Sequence, residues 1–270
     1  MIKVIEQYLC SKTGDDSKNE DLIFVSDDFC VLLDGTTSKT KALFHGKTAG
    51  QLTIKIIEEL FRSRRITPET DPQEAVELIQ KELKDFSRAN DLESKEICLC
   101  ASGLIYHAAK RRIWSVGDCQ FLVNGVLYSK PKRIDALLGE IRSVMIRCLL
   151  HSGYSEADLL HEDRARGMII DLLKKQRFLE NTDDPYGYAV FSCRGGVPEV
   201  SITDVSCGDE IVFASDGYPE LCRSLAESEA KLKELTEKDP LMYRYTHMTK
   251  GVTDGNVSYD DRSYIRFIAG

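Results

Sequence analysis

Apolar residues recur along this chain with two different periods, and the period changes by blocks. Short apolar runs come first. Leu22 to Ser26 and Cys30 to Leu33, rich in Val, Ile, Phe and Leu and separated by Asp27-Asp28, predict two paired strands with a turn between them. From Gly46 to Arg64 the period lengthens. Leu52, Ile56, Ile57, Leu60 and Phe61 share one helical face while Lys55, Glu58 and Glu59 fall elsewhere, which predicts an amphipathic helix. A second helix is expected after the start signal Thr70-Asp71-Pro72, carrying Ala75, Val76, Ile79, Leu83 and Phe86, and antiparallel to the first.

Strand patterns return between Ile97 and Tyr128, punctuated by Lys110-Arg111-Arg112, Gly117-Asp118 and Asn124-Gly125; the Asn-Gly pair predicts a tight hairpin. A helical region follows from Ile134 to Phe178, broken near Ser152-Gly153. Tyr188 to Cys193, Val200 to Val205 and Ile211 to Ala214 again read as strands, Glu220 to Leu235 as a helix, and Tyr264 to Ile268 as a last strand. Short turns join most of the strands while the helices come in pairs, so the expectation is an α+β protein of antiparallel sheets covered by separate helical layers.

With 270 residues, 42% of them apolar, the chain is long enough for a sizeable core, and the lack of repeats or long Pro/Gly linkers predicts one domain over residues 1–270. A net charge of -8 gives a nucleic-acid partner no electrostatic footprint. No segment reads as a secretory leader or a membrane span, so a cytoplasmic location away from membranes is expected. Nine cysteines are scattered without C-x-x-C spacing, several in apolar runs such as Ile97-Cys98-Leu99-Cys100; they read as reduced core residues rather than a disulfide or zinc framework.

Acidic residues recur in one local context. Asp21 begins a strand, Asp34, Asp118 and Asp216 end strands, and Asp260 precedes one. Aspartate is disfavoured in strands and costly beside an apolar core, so its recurrence at strand mouths calls for a turn or a cation. Asp254-Gly255 reads as a turn. At Asp34 and Asp216 helical patterns follow instead of a return strand, which weakens the hairpin explanation there. Carboxylate oxygens suit Mg2+ or Mn2+, and two such ions about 3.5–4 Å apart activate a shared water and clamp a phosphoryl group.

Taken in order, these motifs resemble those of the type 2C (PPM) metal-dependent Ser/Thr protein phosphatases. Asn19-Glu20-Asp21 is similar to the family's opening acidic motif, Leu33-Asp34-Gly35 to its metal-binding D-G, Gly46 to Gly50 to the helix start after it, and Ser115 to Asp118 to its strand ending in Gly-Asp. Ala214-Ser215-Asp216-Gly217 resembles its S-D-G motif and Asp260-Asp261-Arg262-Ser263 its terminal D-[ND]-x-[ST]. The resemblance runs from about residue 10 to 268.

It implies a four-layer αββα sandwich and a phosphoprotein substrate. Asp34 would bridge two metal ions, with Glu20 and the Gly35 carbonyl completing one site and Asp216 and Asp260 the other. Asp21 would support the cluster, and Asp118 and Glu220 would match a third ion. Asp34, Asp216 and Asp260 thus carry catalysis in this reading. Two departures stand out. Where the family has a phosphate-gripping arginine this chain has Asp15 to Lys18, leaving Lys18 as the substitute, and Thr36 stands where many relatives have a histidine after D-G.

Two other readings compete. Leu32 to Thr37 is similar to the dehalogenase-type phosphatase motif, but Leu32 holds the place of its nucleophile. A pseudophosphatase that keeps the sandwich as a binding module fits the missing arginine. The histidines read as surface or packing residues, with His45 placed by sequence near the metal mouth.

Overall fold

A computed structural model describes residues 2–40 and 42–270. Its elements are β1 (Lys3–Cys10), β2 (Asp21–Val25), β3 (Phe29–Gly35), α1 (Ala49–Arg62), α2 (Pro72–Ala89), β4 (Cys100–His107), β5 (Arg112–Val116), β6 (Gln120–Val123) and β7 (Val126–Tyr128). There follow α3 (Arg133–His151), α4 (Glu156–His161), α5 (Arg164–Lys175), β8 (Phe191–Ser192), β9 (Ser201–Asp204), β10 (Glu210–Ala214), α6 (Leu225–Lys238) and β11 (Arg262–Ile268).

The strands form two sheets, ordered β1-β11-β10-β6-β7 and β2-β3-β4-β5-β9, with β8 added to β4. All pairings between these strands are antiparallel. Alternation along each strand explains why the central ones read as continuous apolar runs. Cys30 and Leu32 of β3 point into a core between the sheets, where they meet Leu104, Tyr106, Phe213, Ile265 and Phe267. Val31 and Leu33 point the other way, under Leu52, Ile57, Phe61, Val76 and Ile79 of α1 and α2. On the far sheet Val212 and Tyr264 face α6 through Leu232. Each fully buried Leu, Ile or Phe in these layers contributes about 1.5–3 kcal/mol.

Both helices expected first are capped as their sequences suggest. Thr48 with Gln51, and Asp71 with Glu74, form capping boxes, and Pro72 occupies the first turn of α2. The β6–β7 hairpin turns at Asn124 (φ 51°) and Gly125 (φ 83°), as an Asn-Gly pair allows.

Three expectations change. β1 was not foreseen; it is an edge strand with Val4, Ile5 and Leu9 exposed, so no buried face marks it in the sequence. The strand expected from Tyr188 shrinks to Phe191–Ser192, because Val190 bonds to the Asn181 side chain instead of a neighbouring strand. The helix expected from Glu220 starts at Leu225, where Ser224 caps it by accepting from the Glu227 amide.

Helices α3 and α5 pack around Leu138, Ile169 and Leu173, and α4 joins them through Leu159 beside Ile146 and Ala165. The Arg142 guanidinium, fully buried, ties them together: Nε and Nη2 donate to Asp163 at 2.9 and 2.6 Å, and Nη1 to the Leu241 and Met248 carbonyls at 2.9 and 3.1 Å. This clamp ties the middle of α3 to the start of α5 and to the segment before Lys250. All nine cysteines are free thiols.

Candidate metal centre

The inner faces of both sheets end in polar side chains at one rim. Asp21 and Asp34 face each other across the β2–β3 pair, and Ser102 of β4 lies opposite Asp34 on its other side. Asp34 then lines a narrow cavity of about 80 Å³ together with Asp118, Asp216 and Asp260. An adjoining cleft of about 350 Å³ shares Asp118, Asp216 and Asp260 and is walled by Tyr218 and Tyr259. Strand ends scattered from residue 21 to 260 thus meet in one place.

The carboxylates are balanced unequally. Asp118 accepts from Ser102 Oγ at 2.5 Å and pairs with Lys132 Nζ at 2.9 Å. Burial opposes its ionisation, but Lys132 and Ser102 outweigh it and hold the carboxyl below the usual range. Asp260 is held low in the same way, against burial, by Lys250, whose ammonium contacts it directly, and by Lys12 at 3.6 Å. Asp261 accepts the Glu20 amide at 3.0 Å and the Lys12 amide at 2.7 Å. Glu20, nearly buried, accepts from Thr48 Oγ1 at 2.6 Å and from Lys12 Nζ at 3.2 Å.

Asp34 and Asp216 differ: among the described residues neither side chain has a hydrogen bond or ion pair. Withdrawal from bulk water, and then Asp21, Asp260 and Asp118, push the Asp34 carboxyl well above the usual range. Asp216 rises for the same first reason and then through Asp34, Asp118 and Asp260. Because its side chain opens to solvent, water screens that rise relative to the one at Asp34. Behind them Asp21 is buried with Oδ2 unpartnered, and burial raises it to about 8.

Glycine is required where β3 meets α1. A Cβ on Gly35 would come within 2.6 Å of the Glu20 carbonyl oxygen, and one on Gly50 within 2.9 Å of Glu20 Oε1 and 3.0 Å of the Gly35 carbonyl oxygen. The Gly35 carbonyl and the Glu20 carboxylate are thereby packed side by side against the start of α1.

How well does this fit a divalent cation? Among the described residues no three His, Cys, Asp or Glu side chains stand arranged to hold one, and Asp118 and Asp260 are each paired with a lysine. Two unpartnered carboxylates, Asp34 and Asp216, and the orphaned oxygen of Asp21 remain, all hard oxygen donors. Mg2+ needs no more, as it keeps several waters and binds through one or two carboxylates plus substrate oxygens. The Glu20 and Gly35 side fits less well, because Lys12 already supplies it with a cation.

Three sequence expectations are corrected. Lys18 does not face the cluster: it is 65% exposed and pairs with Asp15 at 3.6 Å. Glu220 lies at the surface, 62% exposed, with Lys231 at 3.2 Å. His45 is an exposed turn residue stacked edge-on to Phe44 and lines neither cavity nor cleft. The cations that do line the cavity, Lys39, Lys132, Lys250 and Arg166, went unremarked in the sequence, as did Lys12 behind them. Lys39 donates to the Thr37 carbonyl at 2.8 Å, and burial, then Lys250 and Arg166, lower it to about 8.

No family model and no curated protein matches the sequence. Solved structures do match over the whole length. The catalytic domain of the serine threonine protein phosphatase PstP, in complex with 2 manganese ions, superposes with a TM-score of 0.52 at 13% identity, covering 99% of both chains. The serine/threonine phosphatase Stp1 from Staphylococcus aureus gives 0.50 at 14% identity, covering 100% of this chain and 96% of that one. At such identities the likeness is one of fold, and the two-sheet sandwich expected from the motifs is the one observed.

Proposed function

We propose, from a fold shared with type 2C (PPM) Ser/Thr phosphatases and from the unpartnered pair Asp34 and Asp216, that this chain is a metal-dependent phosphomonoester hydrolase. Its substrate class is phosphoserine or phosphothreonine in proteins, and the unit that acts is the whole of residues 1–270. The observation that carries the reading is two carboxylates that, among the described residues, accept no hydrogen bond and pair with no cation, at a cavity that Lys39, Lys132, Lys250 and Arg166 also line.

In this reading Asp34 and Asp216 hold Mg2+ or Mn2+, with Asp260 and Asp118 beside them and Asp21 behind. A divalent ion there lowers the pKa of a bound water and draws charge from phosphoryl oxygens. The chain's own part is positional and electrostatic. The β2–β3 pairing fixes Asp34 against Asp21, and the cleft lined by Tyr218 and Tyr259 is where the substrate would enter. Lys39 and Arg166 line the cavity and take the phosphate-gripping role that sequence assigned to Lys18. The net charge of -8 gives no footprint for nucleic acid, and no described helix is long and apolar enough to cross a membrane; we assign a cytoplasmic role in phosphoprotein signalling.

The test is hydrolysis of a generic phosphomonoester with Mn2+, Mg2+ or EDTA, run beside Asp34→Asn. Metal-dependent turnover that the substitution abolishes supports the reading, and turnover indifferent to EDTA sinks it. A second reading is favoured by the lysines on Asp118, Asp260 and Glu20: a pseudophosphatase that binds a phosphorylated partner without cleaving it. Phosphopeptide binding with no turnover in any metal would select that alternative.

A further inference from the structure

Lys12 sits at the centre of the half of the cluster that sequence assigns to a second ion. Its ammonium nitrogen lies 3.2 Å from Glu20 Oε2, 3.3 Å from Asp261 Oδ2, 3.6 Å from Asp260 Oδ1 and 2.9 Å from Thr37 Oγ1. Four oxygens from three segments of chain converge on one positive charge, as they would on a bound cation. Nor is the arm free to swing out. The Lys12 amide donates to Asp261 Oδ1 at 2.7 Å, its carbonyl accepts from Val257 at 2.8 Å, and the side chain is 18% exposed. A divalent ion held by Glu20 and the Gly35 carbonyl would lie beside this ammonium, in a site only slightly open to water, and like charges so placed repel strongly.

We propose that Lys12 is a built-in cation standing in for the second metal ion. The chain then binds one divalent ion, at Asp34 and Asp216, while Glu20 serves as a counter-ion to Lys12 and not as a metal ligand. This rests on the hydrolase reading for the ion that remains. Lys132 and Lys250 act differently: each pairs with a single member of the cluster, Asp118 or Asp260, and neither bridges.

The experiment is the stoichiometry of Mn2+ binding to the metal-stripped full chain, by calorimetry and by the electron spin resonance signal of free Mn2+. The native chain is expected to take up one ion. Glu20→Gln is expected to leave that count at one and the Kd within about threefold, below the 10–100-fold that loss of even a supporting partner costs a metal site. Lys12→Met is expected to raise the count to two. Two ions in the native chain, or an ion lost in Glu20→Gln, would overturn the role of Lys12 and leave the hydrolase reading standing. No ion at all would overturn the hydrolase reading and, with it, the count of one. Should Lys12→Met fail to fold by circular dichroism, Lys12→Arg, expected to keep the count at one, and Glu20→Gln decide the matter.

Discussion

The two sides of the acidic cluster meet the same electrostatic problem in opposite ways. On one side Glu20, Asp118, Asp260 and Asp261 each have a lysine within 4 Å, and Asp118 and Asp260 are held below their ordinary pKa. On the other, Asp34 and Asp216 have no side-chain partner among the described residues and are pushed upward. A carboxylate that the chain neutralises is part of the scaffold and needs nothing from solution. One left uncompensated at a cavity is where an ionic ligand gains most. Motifs alone do not separate these roles, since all six residues fall in motifs of the same apparent kind.

Substitutions can widen or erase that contrast. The largest effect is expected at Asp34→Asn, which should lower Mn2+-dependent turnover about 1000-fold or more, a barrier increase of about 4 kcal/mol. Steady-state kinetics at saturating Mn2+ measure it, and a loss under tenfold would equate the two sides. Next, Lys132→Met strands the Asp118 carboxylate and should cost about 3 kcal/mol in urea unfolding, as for other broken buried pairs. Little change there would mean that Asp118 does not depend on its lysine.

A pH series in EDTA comes third. Folded Asp21 has a pKa of about 8 against an ordinary 3.8, so the folded chain holds that proton more tightly. The resulting stability is full below about pH 4 and disappears as pH rises through 8. Asp34 and Asp216 act in the same direction. Asp118 and Asp260 act oppositely, adding stability above their ordinary pKa that fades as pH falls through their lower folded values. Between pH 5 and 8 the metal-free urea midpoint should therefore fall, and Asp21→Asn should flatten the slope. A midpoint that rises over this window would place the uncompensated charge elsewhere. The smallest effect is Lys18→Ala, expected within about 0.5 kcal/mol in stability and with turnover unchanged, as for other exposed pairs.

What was legible in the sequence was whatever a local period or motif encodes. Val31 and Leu33 alternate with Cys30 and Leu32, so β3 announces itself, and Asp34 follows it in a motif. β1 did not, because its single paired edge leaves Val4 and Ile5 exposed with no apolar face to reveal. The lysines stayed hidden for another reason. A lysine is common at surfaces, and its four-carbon arm lets positions 12, 132 and 250 reach one cluster from three unrelated segments. Nothing near Lys12 marks it, and sequence proximity to Glu20 favoured Lys18 instead. Convergence of that sort is a property of topology.

Parity along β3 has a consequence for how this gene can change. Asp34 shares its face with Leu32 and Cys30, the side turned toward the opposite sheet, so a one-residue deletion between Val31 and Asp34 would turn the acid under α1 and present Gly35 at the rim. The same deletion at Asp27-Asp28, where the chain only reverses direction, would leave every inward position where it is. Length variation among descendants of this chain should accumulate at such bends and be purged from the four residues leading to Asp34.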